Sequence, residues 1–236
     1  MRLNNIITYN NINFKDYNCY YDGSQLFRKP QKMVTMISIP GKNGDLSMSQ
    51  DRYSNIVRPF NCFIKDDFIK NYNNLINQLS AVKGYQRLET TEEPDVFYEA
   101  QFNAEIQPDL WQLNEKGVFT LEFNFKPQKW LKSGEKGIYV DDNLTLLNPS
   151  LMDALPLIEC TGTGAITIGD STLTLATNTS KTIIDCELQD AYEDTINRNP
   201  DLTVQGGFPV LKAGLNTITV VGQAFSIMLY PRWWRL

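Results

Sequence analysis

The chain has 236 residues, of which 42% are hydrophobic, and its 22 basic and 27 acidic residues give a formal net charge of −5. This composition is typical of a globular protein with one large or two small domains. The absence of histidine removes the commonest general base and metal ligand and excludes His-containing catalytic triads. Since Lys and Arg form no block, sequence-specific binding of nucleic acid is not expected.

Membrane insertion, secretion, metal binding and a cofactor are also not expected. No run of about 18 apolar residues is present, and the first ten residues, MRLNNIITYN, lack the apolar core of a signal peptide. The cysteines are far apart and show no C-x-x-C spacing, so we predict reduced, mostly buried thiols made in a cytoplasm. They are Cys19, Cys62, Cys160 and Cys186, and the last two are possible neighbours across strands.

The first third of the chain predicts a strand, a turn and a helix. Residues 33–40, MVTMISIP, are apolar on both faces, which indicates a central or covered strand. The Asn43-Gly44 pair that follows supplies the positive φ of a tight turn. Residues 65–84 then place an apolar stripe at helical spacing, with Asp66 or Asp67 available as N-cap. The stripe consists of Phe68, Tyr72, Leu75, Ile76, Leu79 and Val82.

Two later segments alternate between apolar and polar residues, as half-buried antiparallel strands do. The first, VFYEAQFNAEI, spans residues 96–106, and the second, GVFTLEFNFKP, spans residues 117–127. Their predicted buried faces consist of Val96, Tyr98, Ala100, Phe102, Ala104 and Ile106, and of Phe119, Leu121, Phe123 and Phe125.

The pattern changes between residues 126 and 156, where lysines, glycines and prolines cluster and the alternation lapses. We therefore predict two domains, residues 1–135 and residues 136–236. The second contains short strands with frequent turns, which favours a β-sandwich. The predicted fold is mainly β: an α+β first domain, sandwich-like or barrel-like with one helix, and then an all-β sandwich whose last residues can pack back on the first domain.

Asp185 and Glu187 are the best candidates for chemistry. They lie two positions apart in a predicted strand, which would place their carboxylates on one face at the separation that glycosidases use. That face lies opposite Ile184, Cys186 and Leu188, so we expect it to face solvent. A solvated carboxylate gains no useful pKa shift. The pair is therefore a weak candidate for a carbohydrate site, and catalysis is not expected.

The C-terminal segment YPRWWRL, residues 230–236, is unusually aromatic. If it is extended, Trp233 and Trp234 point to opposite sides. One can then enter the core of its own sandwich, while the other covers the first domain or a neighbouring subunit. Arg232 and Arg235 flank the rings. We predict a structural clamp formed by Arg232, Trp233 and Trp234; the alternative is an exposed platform that stacks on sugar rings.

Four segments together resemble the distal tail protein (Dit) family of siphophages that infect Gram-positive bacteria. The first is similar to the family's I-P-G-[RK]-[DN]-G-x-L motif, and the others resemble a strand and turn, a hairpin and the family's C-terminal end. They occur in the family's order along the whole chain. The segments are ISIPGKNGDLS (37–47), IIDCELQDAY (183–192), GGFPVLKAGLNTITVVG (206–222) and YPRWWRL.

The resemblance implies a structural role without catalysis. Proteins of this family form a hexameric ring at the distal end of the virion tail, assembled in the host cytoplasm. The ring joins the tail tube protein to the tail-associated protein and the receptor-binding or baseplate proteins, and DNA passes through it without specific binding. The first domain makes the ring, and the second resembles a galectin-like sandwich. By motif, the belt that contacts the neighbouring subunit comprises Pro40, Gly41, Lys42, Asn43, Gly44, Asp45, Leu46 and Tyr53.

Two other functions stay open at this point. A carbohydrate-binding accessory module that recognises host cell-wall polysaccharide would need an exposed Trp or Tyr platform on the second domain. A glycosidase would depend on Asp185 or Glu187. We expect the belt to be mobile in a free subunit and ordered in a ring, because few apolar residues fix it locally.

Overall fold

The computed structural model describes residues 5–23, 28–103, 108–111, 116–176, 181–222 and 225–236; for residues 109–111 only the backbone is described. The chain forms two compact units, residues 1–129 with residue 236, and residues 130–235. No helix among these described ranges is long and apolar enough to cross a membrane.

The described residues of the first unit form ten strands and one α-helix. A short 3-10 turn, Phe14–Tyr17, follows the second strand. The last two residues of the tenth strand belong to the second unit. The elements are β1 (Ile7–Tyr9), β2 (Ile12–Asn13), β3 (Cys19–Tyr21), β4 (Lys32–Ile37), β5 (Leu46–Tyr53), β6 (Ile56–Ile64), α1 (Phe68–Ala81), β7 (Gln86–Thr90), β8 (Val96–Phe102), β9 (Asp109–Trp111) and β10 (Lys116–Leu131).

The main sheet of the first unit is curled. Its strand order is β2-β1-β7-β8-β10-β6-β3, and β9 also pairs with β10. Asn5, just before β1, forms an antiparallel bridge with Tyr21 of β3, so β3, at one end of this order, also contacts the segment that leads into β1. The curled sheet encloses an aromatic core in which Phe123 makes ring contacts with Tyr9 and Phe60 at 5.1 and 5.9 Å between centroids.

The predicted alternation of the two long strands is confirmed. Phe119, Leu121, Phe123 and Phe125 are all buried in β10. In β8 the side chains of Val96, Tyr98 and Ala100 are buried and Phe102 is half-buried. Ala104 and Ile106 lie outside the described residues.

The predicted helix is present as α1. Its buried residues are Phe68, Leu75 and Leu79, while Tyr72 and Ile76 are half-buried. The predicted capping by Asp67 is wrong: Asp67 occupies the N-cap position, but its φ is 50° and its side chain makes no capping hydrogen bond. The side chain of Asn71, in the first turn of the helix, donates to the Asp66 carbonyl at 2.8 Å.

The second unit contains the remaining described strands, and all of these except β22, which pairs with β10, form two sheets. The six-stranded sheet has the order β11-β21-β13-β16-β17-β18, and the five-stranded sheet has the order β12-β20-β14-β15-β19. The strands are β11 (Ile138–Val140), β12 (Leu144–Asn148), β13 (Leu157–Thr161), β14 (Gly164–Ile168), β15 (Ser171–Leu175), β16 (Thr182–Asp185), β17 (Asp190–Glu193), β18 (Ile196–Asn197), β19 (Leu202–Gln205), β20 (Gly214–Val221), β21 (Ser226–Tyr230) and β22 (Trp234–Arg235).

Apolar side chains from both sheets form one core, as the predicted sandwich requires. Ile158 and Ile227 contribute from the six-stranded sheet, and Ile166, Leu173 and Ile218 contribute from the five-stranded sheet. The strands of each sheet are antiparallel. Along each strand, apolar side chains that point into the core alternate with side chains that point outward. The mainly β fold expected from the sequence is therefore confirmed.

All four cysteines are buried and free. Cys160 does not lie opposite Cys186, because its partner across the strands is Thr182. The cysteines that do contact each other are Cys19 and Cys62, on the neighbouring strands β3 and β6. The sequence did not suggest this contact. Burial, and then a hydrogen bond with Cys19, raise the pKa of the Cys62 thiol.

Candidate assembly site

Strands β4 and β5 form a two-stranded hairpin that is separate from the main sheet. Ile37 lies opposite Leu46, and Val34 lies opposite Ser49. The connection includes Gly41 and Gly44, whose φ angles of 80° and 83° are the left-handed conformations that glycine adopts without strain. The turn predicted at Asn43-Gly44 therefore joins two paired strands.

Apolar side chains occupy both faces of this hairpin. Residues directly opposite each other share a face, so Val34 and Met36 lie on one face and Ile37, Leu46 and Met48 on the other. All five are exposed, Met36 by 63% and Met48 by 53%. The prediction of a central or covered strand is therefore wrong for the single chain. The residues are apolar as predicted, but within the described chain they form a hairpin of their own.

The base of the hairpin is fixed and its tip is exposed. The Ser54 N–H donates to the Gln31 carbonyl at 3.0 Å, and Tyr53 is half-buried. The predicted belt residues beyond that base are all exposed, and they are Pro40, Gly41, Lys42, Asn43, Gly44, Asp45 and Leu46. An exposed hairpin with two apolar faces provides a surface for binding another protein chain.

The C-terminal segment shows the opposite arrangement. Trp233 is only 4% exposed and belongs to the core of the second unit. Trp234 is half-buried against that core, and its indole N–H donates to the Asp153 carbonyl at 2.8 Å. Trp234 is thus held by a loop of its own unit, a surface that the sequence did not predict, and neither ring is fully exposed as a sugar platform requires.

Backbone contacts hold this segment in place. The Leu131 N–H donates to the Trp233 carbonyl at 2.8 Å, and the Arg232 N–H donates to the Gly134 carbonyl at 2.9 Å. A Cβ atom on Gly134 would lie 2.3 Å from the Trp233 nitrogen, so this close approach requires glycine.

Asp185 holds the same segment through its side chain. Arg232 donates from two guanidinium nitrogens to the two Asp185 oxygens at 2.8 and 2.9 Å. The backbone N–H groups of Glu187 and Leu188 also donate to Asp185, at 2.9 and 3.2 Å. The Glu187 carboxylate lies 3.6 Å from Arg232. Asp185 and Arg232 therefore form a partly buried, bidentate ion pair that anchors the C-terminal segment.

The expected solvent-facing position of Asp185 is wrong. It is 4% exposed, because β16 ends at Asp185 and its carboxylate accepts hydrogen bonds from the following turn and from Arg232. Burial raises the pKa of Asp185, but the hydrogen bonds from Arg232 and Leu188, the charge of Arg232 and the Glu187 N–H outweigh it, so the pKa is lowered. A general acid needs the opposite shift, so Asp185 does not have the electrostatics of a general acid.

A buried ionic cluster in the first unit was not found from the sequence. Arg58 is 2% exposed, and its guanidinium lies 4.9 Å from the Tyr98 ring centroid. Nearby, Lys129 donates to Glu93 at 2.9 Å. Burial lowers the pKa of Lys129, and Glu93 partly opposes that shift. Alternation could have revealed Arg58, because it shares its strand face with the buried residues Phe60 and Cys62.

The described residues contain no group of three or more carboxylate, thiol or imidazole side chains that could hold a metal ion. The described residues form two mainly β units, and the first carries an exposed apolar hairpin. The fold is similar to that of a phage adsorption-hub protein of known structure.

The solved structure that the chain resembles is that of SPP1 Dit (gp 19.1), described as a paradigm of the hub adsorption apparatus in phages that infect Gram-positive bacteria. The likeness has a TM-score of 0.74 and covers 98% of this chain and 99% of that one, at 13% sequence identity. The predicted resemblance is thus confirmed at the level of the fold. No protein-family model and no curated protein matches the sequence.

Proposed function

We propose that this chain is a structural protein of a siphophage tail tip, of the distal tail type, and that it assembles with copies of itself into a hexameric ring. The observation that carries the proposal is the hairpin β4–β5, whose two apolar faces are both exposed in the single chain. The similarity in fold to SPP1 Dit supports the assignment.

A hairpin with two apolar faces favours insertion between partner surfaces. One covering surface would leave either Met36 or Met48 in water, whereas insertion covers both and removes their apolar area from solvent. If the hairpin of each copy binds a different surface of the next copy, the contact is head-to-tail, and such contacts form a ring when the rotation between copies closes. The first domain, predicted as residues 1–135, would form this ring.

The charge of the chain suits a pore for DNA. Each chain carries a net charge of −5, so a ring of six is strongly acidic and repels the phosphate backbone. The ring would let DNA pass without specific binding.

The proposed location is the distal end of the virion tail, after assembly in the host cytoplasm. The tail tube protein would bind one side of the ring, and the tail-associated protein and the receptor-binding or baseplate proteins would bind the other. This role needs no cofactor, membrane contact or catalysis. The second domain would act as a galectin-like structural module. A sugar site at Asp185 and Glu187 is not proposed, because Arg232 engages both carboxylates.

Molar mass in solution tests the proposal. The wild-type chain, alone or with tail tube protein, should give a mass that is a multiple of six chains by light scattering. The Met36→Ser/Met48→Ser variant should stay monomeric, while Leu188→Ser, which removes an exposed apolar side chain of the second unit, should assemble normally. Monomeric wild type in the presence of tail tube protein, or full assembly of the hairpin variant, would reject the proposed ring.

A further inference from the structure

The connection between β4 and β5 contains the only Asn-Gly step in the sequence, Asn43-Gly44. Both residues are exposed. The hydrogen-bonded turn of the connection lies just before them, where the Lys42 N–H donates to the Ile39 carbonyl at 3.1 Å. Within the described ranges, no hydrogen bond engages the Gly44 N–H or the Asn43 side-chain amide. These two groups are therefore free to react with each other.

The backbone around Gly44 is also open. Its φ is 83°, a conformation that glycine adopts without strain. A Cβ atom on Gly44 would meet no atom within 4 Å outside the two adjoining residues. Nothing in the described structure therefore hinders the approach of the Gly44 nitrogen to the side-chain carbon Cγ of Asn43.

The sequence has one comparable step, Asp22-Gly23, and that step is enclosed. A Cβ atom on Gly23 would clash with the Glu92 carboxylate. The Asn61 side chain donates to the Asp22 carboxylate at 3.0 Å and holds it in place. The two steps share the same local chemistry, but only the one in the hairpin has room to rearrange.

We propose that Asn43 is a site of spontaneous deamidation. The Gly44 nitrogen loses its proton to hydroxide and bonds to Cγ of Asn43, while the Cγ–Nδ2 bond breaks and ammonia leaves with a proton from water. This closes a five-membered succinimide ring. Water then breaks one of the two C–N bonds of the ring, which gives aspartate or, through the main-chain carbonyl, isoaspartate. The sequence of steps involves no oxidation, and water is the only reagent that it consumes.

A consequence for assembly rests on the proposed function. Either product carries a carboxylate at position 43, which is ionised at pH 7, where the original amide is neutral. Burying an unpaired charge against a partner surface is costly, so chains that deamidate before assembly should enter rings less readily. Ring contacts that cover the connection would in turn protect Asn43 in assembled chains.

Peptide mass spectrometry of the incubated full-length chain tests the site. The peptide that contains Asn43 should gain the mass of an NH₂-to-OH exchange and form isoaspartate, faster at pH 8 than at pH 6, because the attacking nitrogen must first lose its proton. The peptide that contains Asp22 should form no isoaspartate. The matched control is Asn43→Gln, which keeps a neutral amide but requires a six-membered ring and should react about tenfold more slowly or less.

Two results would overturn the proposal. They are an Asn43 that stays unmodified while a synthetic peptide of residues 39–47 deamidates, and equal formation of isoaspartate at Asp22. Both are measured on the single chain and do not depend on a ring.

Light scattering of Asn43→Asp and Asn43→Gln tests the consequence for assembly. A smaller fraction of rings is expected for Asn43→Asp alone, and equal fractions would reject that consequence. Absence of rings in the wild type as well would reject the proposed function, while the mass measurement would still decide the modification of Asn43.

Discussion

The hairpin at residues 32–53 and the C-terminal segment at residues 230–236 both carry large apolar side chains, but the molecule uses them differently. Trp233 lies in the core of the second unit, while Met36 and Met48 remain exposed. The segment is also bound through Arg232 and the backbone. Apolar residues inside their own unit stabilise the fold, and apolar residues left outside it are available for assembly.

The largest effect on stability is expected for Trp233→Ala. Removing a buried indole leaves a cavity in the core, which costs about 3–5 kcal/mol, a large share of a domain's total of about 5–15 kcal/mol. Trp234→Ala should cost less, because this ring is half-buried. Thermal or denaturant unfolding of the two variants measures the difference. Equal, wild-type stability of both would contradict the anchoring role of the segment.

Asp185→Asn should have an intermediate effect. The substitution leaves Arg232 without its bidentate partner but keeps the size of the side chain. The expected loss is about 1–3 kcal/mol, because hydrogen bonds to charged groups contribute in this range. Denaturant unfolding at pH 7 measures it, with Glu187→Gln as the control, since Glu187 is more exposed and lies farther from Arg232. An unchanged midpoint for Asp185→Asn would show that the ion pair does not stabilise the segment.

The same ion pair predicts a dependence on pH. The pKa of Asp185 is lowered in the folded chain, so the ionised carboxylate stabilises the fold above its unfolded pKa of about 3.9. That contribution is lost as the pH falls through the lower, folded pKa. The free energy of unfolding of the wild type should therefore approach that of Asp185→Asn below about pH 4. A gap that stays constant from pH 7 to pH 3 would contradict this assignment.

The periodicity of the sequence reveals which faces of a strand or helix are apolar, but it does not reveal what covers them. Periodicity located β8, β10 and α1, because each has one buried face and the pattern reports that face directly. Periodicity also showed that residues 33–40 are apolar on both faces. It could not show whether the covering surface belongs to the same chain, and in the structure no described element of the chain covers the hairpin.

Local sequence patterns could not predict the burial of Asp185, for another reason. Its partner Arg232 lies 47 residues away, and a strand pattern read from neighbouring residues places a lone carboxylate on the solvent side. Arg58 and Lys129 differ, because they occupy inward positions of strands with buried apolar neighbours. A charged residue in such a position is a sequence signal for a buried ionic cluster.

The smallest effect on stability, and the largest on assembly, is expected for deletion of residues 42–49. These residues are all exposed and belong to a hairpin that is separate from the main sheet, so their deletion removes no part of either core. The shortened chain should therefore unfold like the wild type and yet fail to form rings by light scattering and negative-stain imaging. Exchange of backbone amide hydrogens should also be fast at residues 43–45, in the connection between β4 and β5, in the free wild-type chain and slow in the ring, because ring contacts would cover residues that are exposed in the monomer. If the shortened chain still forms rings, the hairpin is not the assembly element. The hairpin and the C-terminal segment would then differ only in how far their apolar side chains are buried.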